Sequence, residues 1–135
     1  PATGSDQRLA QVLVDQLQLA PSTSNYLPGS DDAVIAALLA ALQDDPGSKR
    51  GLADWAAQFH LTERTLARRC QRELGMPLGE WRQRQRFLAA LPMLERGASV
   101  QAIALELGYG TASAFIAMFR RQSGSTRDQL RRGMR

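Results

Sequence analysis

The sequence predicts an all-α fold: two short helix-pair units joined by a long linker helix. Three observations predict it. Ala, Leu, Gln and Arg dominate, β-branched runs are scarce and only 6% of residues are aromatic, a usage that favours helices. Apolar residues recur at intervals of three and four along much of the chain, the period of one helix face. The stretch from Leu52 to Gly75 also returns 48 to 49 residues later, the mark of an internal structural repeat. No stretch reads as a convincing strand. With 44% hydrophobic and 22% charged residues, the chain can pack a core and is not a disordered polyelectrolyte.

The elements follow in order. Ser5-Asp6 is an N-cap, and Leu9, Val12, Leu13 and Leu17 recur at helical spacing, which predicts a helix over 6–19. Ala20 to Ser30, with two prolines, Asn, Gly and four serines or threonines, reads as a linker. Asp31-Asp32 caps a helix whose buried stripe is Val34, Ile35, Leu38, Leu39 and Leu42, and Asp45-Pro46-Gly47-Ser48 stops it. Leu52, Trp55, Ala56 and Phe59 share a face of a short helix. Thr62 caps the next, which holds Leu66, Cys70 and Leu74 and ends at Gly75. Pro77 opens a long helix through Trp81, Phe87, Leu88, Leu91 and Leu94 to Gly97, with Pro92 expected to kink or break it. Ser99 starts a helix carrying Val100, Ile103, Ala104 and Leu107. Thr111 caps one holding Phe115, Met118 and Phe119, which Gly124 is expected to close. Thr126 then begins a short terminal helix with Leu130.

The repeat is the most informative feature. Leu52, Trp55, Ala56 and Phe59 map to Val100, Ile103, Ala104 and Leu107. After one inserted turn residue, Thr62, Leu66, Cys70 and Gly75 map to Thr111, Phe115, Phe119 and Gly124. Each unit is a short helix with a small residue (Ala56, Ala104), a tight turn and a Thr-capped second helix. The small residue lets the two helices approach closely. This is helix-turn-helix grammar, written twice.

Charge says what such units would touch. Residues 1–48 carry one basic residue (Arg8) against six acidic ones, and residues 49–135 carry 16 basic against seven. An asymmetry from −5 to +9 marks the second part for a polyanionic partner. In a helix-turn-helix the second helix turns one face to its own core and the other to base edges. With Leu66, Cys70 and Leu74 inward, Arg64, Arg68 and Gln71 face outward as candidate base readers, and Arg72 flanks them as a candidate phosphate contact. Arg reaches the paired acceptors of guanine and Gln the paired groups of adenine. In the second unit Ser113 and Ala117 take the base-facing positions, and Arg120 and Arg121 are assigned to phosphates. The capping hydroxyls of Thr62 and Thr111 are assigned to phosphates as well. A linker helix of roughly 28 Å is close to one turn of B-DNA, roughly 34 Å, so both recognition helices can enter successive major-groove segments. Arg82, Arg84 and Arg86 on that helix suit phosphate contact or a plain solvated face equally.

At this point Thr62–Gly75 (TERTLARRCQRELG), the opening Pro77-Leu78-Gly79-Glu80-Trp81 and above all Ile103–Arg121 (IALELGYGTASAFIAMFRR) resemble the AraC/XylS-type bacterial transcription regulators. The resemblance covers about residues 31–132. It implies a DNA-binding domain of two helix-turn-helix units, usually following an N-terminal sensor that binds an effector or dimerises. By position it carries the family's base-reading sites onto Arg64 and Arg68, and onto Ala112, Ser113 and Ala117. Arg127 and Leu130 stand where the family usually has Pro and an aromatic residue.

The resulting expectation assigns residues 31–135 to the double helix-turn-helix domain. Residues 1–30 would be the last helix of a sensor plus an interdomain linker, with a stripe left exposed and little part in DNA affinity. The chain starts without an initiator Met or a signal-peptide layout and reads as a cut piece. The expected partner is double-stranded DNA. RNA polymerase, a small-molecule effector acting through the missing sensor, and a homodimer of the full-length protein are further candidates. A basic helical adaptor docking acidic proteins is the competing class.

Little else suggests chemistry. His60 is the only histidine and Cys70 the only cysteine. There is thus no metal-ligand spacing and no intrachain disulfide, and a reducing, cytoplasmic and nucleoid-associated setting is expected. His60 suits a phosphate or the turn itself, and Cys70 a core position. Trp55 and Trp81 read as core anchors. Gly108-Tyr109-Gly110 closes a helix rather than cradling a nucleotide. No cofactor, membrane span or catalytic group is expected.

Overall fold

The computed structural model describes residues 8–13, 15 and 27–133, with side chains as far as Gly124. Among them there are helices and no strand. The first helical segment, α1, covers 8–13 and 15. It is followed by α2 (Ala33–Asp44), α3 (Leu52–Gln58), α4 (Glu63–Leu74), α5 (Leu78–Glu95), α6 (Val100–Glu106) and α7 (Ala112–Gly133).

The expected caps are in place. The Asp32 carboxylate accepts the Val34 and Ile35 N–H groups at 3.0 Å each, and the Thr62 and Ser99 hydroxyls accept from Thr65 and Ala102 at 3.1 Å. Each satisfies donors that the first turn of a helix cannot pair internally. α4 stops at Gly75, whose φ of +74° suits glycine.

The helices build two cores that share α5. Ile35, Leu38 and Leu42 of α2, Trp55 and Ala56 of α3, Leu66, Cys70 and Leu74 of α4, and Leu78 and Trp81 of α5 form the first. Phe87, Ala90 and Leu94 of α5, Val100, Ile103 and Ala104 of α6, Leu107 just beyond it, and Phe115, Met118 and Phe119 of α7 form the second. The polar run Arg82–Arg86 lies between them.

Three expectations change. Leu13 of α1 is 0% exposed and Ala10 is buried with it, both inside the second core. Of the stripe's described members, Leu9 and Leu13 are thus seated on the second unit, and Val12, 44% exposed, stays open. Leu17 and the rest of the 6–19 span lie outside the described residues. α5 is unbroken through Pro92: of the expected kink or break, the break is absent, although the proline cannot donate to the Leu88 carbonyl. α7 does not close at Gly124 but runs on to Gly133. Gly124 is not in the left-handed region that a glycine stop needs, and Arg127 leaves the ladder of backbone bonds intact where a proline would break it. Thr126 and Leu130 therefore fall inside α7, and their side chains lie outside the described residues.

Candidate nucleic-acid interface

The two units are built alike, atom by atom, at their turns. α3 and α6 begin and end 48 residues apart, and α4 and α7 begin 49 apart. After α3, Leu61 N–H donates to Ala56 O at 2.9 Å and His60 N–H to Ala57 O at 3.2 Å. After α6, Tyr109 N–H donates to Ala104 O at 2.8 Å and Gly108 N–H to Leu105 O at 3.2 Å. This pair of bonds closes a helix through one left-handed residue. In the second unit that residue is Gly108, φ +86°; in the first it is His60, φ +59°. A side chain at positive φ costs about 1–2 kcal/mol, less for His than for most residues. Glycine would recover that but costs about 0.4–1 kcal/mol through a freer unfolded chain. His60→Gly should therefore stabilise the protein by about 0.5–1 kcal/mol. Chemical denaturation checks it, and a loss of stability would mean that His60 makes a contact outweighing its strain.

On α4 the buried residues are Leu66, Cys70 and Leu74, and burial pushes the Cys70 thiol up, as an inert core residue requires. Arg64, Arg68 and Gln71 lie exposed on the other side. Among the described residues none of the three side chains makes a hydrogen bond or ion pair. Arg69 and Arg72 do: their guanidinium groups stand 3.9 and 3.8 Å from the Asp32 carboxylate, and Arg72 is also 3.3 Å from Glu73. The Ile35 N–H, aided by Arg69, Val34 N–H and Arg72, holds the Asp32 carboxyl below its ordinary range against the pull of desolvation. Arg72 is thus tied to acidic groups, and a phosphate would have to compete for it. Thr62 is exposed but its hydroxyl is engaged, accepting from Thr65 N–H and donating to Thr65 Oγ1 at 2.9 Å.

On α7, Phe115, Met118 and Phe119 point inward, and Ser113, Ala117, Arg120 and Arg121 are exposed. Ile116 packs partly on the core, and Thr111 accepts the Ala114 N–H at 3.1 Å. The structure therefore brings the predicted residues onto the outer faces of two second helices joined by α5, an 18-residue helix of roughly 27 Å.

On α5 the sequence did not single out Gln85, and it left Arg82 and Arg86 to phosphate contact or a solvated face. Gln85 is buried and its amide donates to Leu42 O at 2.6 Å. Arg82 donates to Arg50 O at 2.7 Å and to Ser48 O, and Arg86 to Pro46 O at 3.0 Å and Ser48 O at 3.2 Å. Burial lowers the Arg82 pKa, with Arg86 nearby adding to the effect. Arg82 and Arg86 are thus neither free phosphate ligands nor a solvated face. The end of the linker is pinned too: Trp81 Nε1–H donates to Pro28 O at 2.8 Å and the Ser30 hydroxyl to Glu73 at 2.6 Å. Among the described residues no group of His, Cys, Asp and Glu could hold a metal ion, and no helix is long and apolar enough to cross a membrane.

Comparison with known proteins gives the same picture. A family model described as a helix-turn-helix domain matches residues 55–133. The chain is 37% identical over 120 residues to the HTH-type transcriptional regulator NimR of Escherichia coli strain K12, covering 89% of this chain and 44% of that protein. It is 36% identical over 118 residues to an AraC-like transcription regulator of Streptomyces lividans, covering 86% of this chain and 39% of that one. It is 31% identical over 123 residues to the HTH-type transcriptional activator RhaS of Klebsiella pneumoniae strain 342, covering 90% and 42%. The chain thus spans less than half the length of these relatives. No solved structure shows a significant match. With its duplicated units and these relatives, the chain belongs to the AraC-type family of helix-turn-helix transcription regulators.

Proposed function

We propose that residues 31–135, with α1 seated on them, are the DNA-binding part of a sequence-specific transcription regulator. In this reading α4 and α7 enter successive major-groove segments on one side of a duplex. One observation carries it: Arg64 and Arg68 project from one exposed face of α4, uncommitted to any described partner and one helical turn apart. α4 reads bases through Arg64, Arg68 and Gln71. α7 reads less, through Ser113 and Ala117, and anchors through Arg120 and Arg121, with Thr62, Thr111 and Arg72 at the flanking phosphates. An effector acts through a separate sensor preceding α1. Contact with RNA polymerase, dimerisation and a cytoplasmic site of action belong to the full-length protein. The chain has no catalytic role.

The test is a gel shift against a randomised duplex pool at several salt concentrations. Selective enrichment should appear, and log affinity should fall linearly with log salt, by about 0.9 per phosphate neutralised. A near-zero slope would remove DNA as the partner. A steep slope without enrichment would favour the adaptor reading, in which the basic face serves acidic proteins.

A further inference from the structure

The turn of the second unit is locked to the loop that follows α2. A Cβ on Gly47 would run into the Glu106 carbonyl and lie 3.3 Å from Gly108 N, and a Cβ on Gly108 would come 2.6 Å from Gly47 O. Two backbones therefore touch here with no room for a side chain. The loop itself is held by α5. Gln85, Arg82 and Arg86 donate to the carbonyls of Leu42, Pro46, Ser48 and Arg50, which include the partly negative C-terminal end of α2. Arg86 also spans the joint, since its guanidinium lies 5.4 Å from the ring centroid of Tyr109 in the second turn. These donors come from the one polar stretch of α5 that separates the two cores.

From this we infer that loop 45–50, clasped by Arg82 and Arg86 and seated on Gly108, with Gln85 holding the end of α2 that leads into it, fixes how α4 and α7 stand relative to each other, and so sets the spacing between half-sites that the chain accepts. The inference rests on the two-helix reading above. Without the clasp, the units would be joined by α5 and by the chain between α1 and residue 27. Each has its own core, so each would keep its shape while their mutual angle relaxed. Two linked modules gain affinity only when the geometry lets both engage at once. A fixed angle therefore makes affinity depend on spacer length, and a loosened one flattens that dependence.

The experiment uses the 135-residue chain and duplexes carrying the two selected half-sites separated by spacers lengthened or shortened base pair by base pair. The wild-type chain should prefer one spacing by about tenfold or more over its neighbours. Gly47→Ala and Arg86→Ala should keep their affinity for the first half-site alone within about twofold while the spacing preference falls to about threefold or less. Arg86→Ala leaves the glycine contact untouched, so it decides the matter if Gly47→Ala fails to fold. Retention of the wild-type preference in Arg86→Ala, and in Gly47→Ala where it folds, would overturn the inference while leaving the two-helix reading standing. A wild-type chain indifferent to the second half-site would instead overturn that reading, and the inference with it.

Discussion

Leu13→Ala should lower the stability of the protein by about 2–5 kcal/mol, the cost of removing a fully buried leucine and leaving a cavity. Leu13 is 0% exposed and lies in the second core with Phe87, Phe115 and Phe119. The lost methyl groups have no other apolar surface to meet, and the surrounding aromatic rings cannot collapse freely into the gap. The neighbouring Val12, 44% exposed, is the internal control, and Val12→Ala should change stability by only about 0.5 kcal/mol. Urea melts of both variants against the wild type provide the measurement. Equal, small effects at the two positions would mean that α1 is not seated as described. The same burial gives α1 a part in stability, separate from the little part in DNA affinity expected of residues 1–30. Removing α1 uncovers part of the second core, so the second unit should lose order before the first.

Arg64→Ala or Arg68→Ala should flatten base preference in one half of the site. A paired Arg–guanine contact is worth about 1–3 kcal/mol of discrimination against the wrong base. Both side chains are exposed on α4, without an intramolecular partner among the described residues to compensate for losing the other. Arg120→Ala and Arg121→Ala should instead weaken all sequences alike and lower the salt slope by about one unit each. Arg72→Ala should do less, because Asp32 and Glu73 already neutralise that guanidinium. Base preference over a randomised site, taken for each single mutant, separates these roles. If Ser113→Ala relaxes specificity more than Arg68→Ala does, α7 is the principal reader and the assignment is reversed.

Much of the fold was legible because helical period, caps and the repeat are local properties of the chain. The duplicated turn lies where the mapping put it, and even the strain at His60 was available there, since His60 aligns with Gly108. What could not be read were matters of tertiary placement. An apolar stripe says that a face of α1 is buried, not that the second core buries it. Arg82 and Arg86 look like any basic residues on a helix until loop 45–50 is seen to present its carbonyls to them. Gly124 resembled a stop because its counterpart Gly75 is one, yet a stop depends on the backbone angle that follows and not on residue type. The outward side chains of α4 were legible for the opposite reason, since an exposed face is defined by the buried one.

The division into two cores also orders events in time. Among the described residues the first core lies between Leu27 and Trp81, so it can close once Trp81 is made. α1, by contrast, must wait for a core whose next member along the sequence is Phe87, some seventy residues away. Closing so long a loop carries an entropy that grows with the logarithm of its length, and contacts of high sequence separation form slowly. The first unit is thus free to fold while α1 is still unattached, and the seating of Leu13 comes late. During synthesis the interval is longer still: α1 leaves the ribosome ahead of α2 to α7 and finds its place only after Phe115 and Phe119 have emerged, so until then its apolar face is not covered by that core.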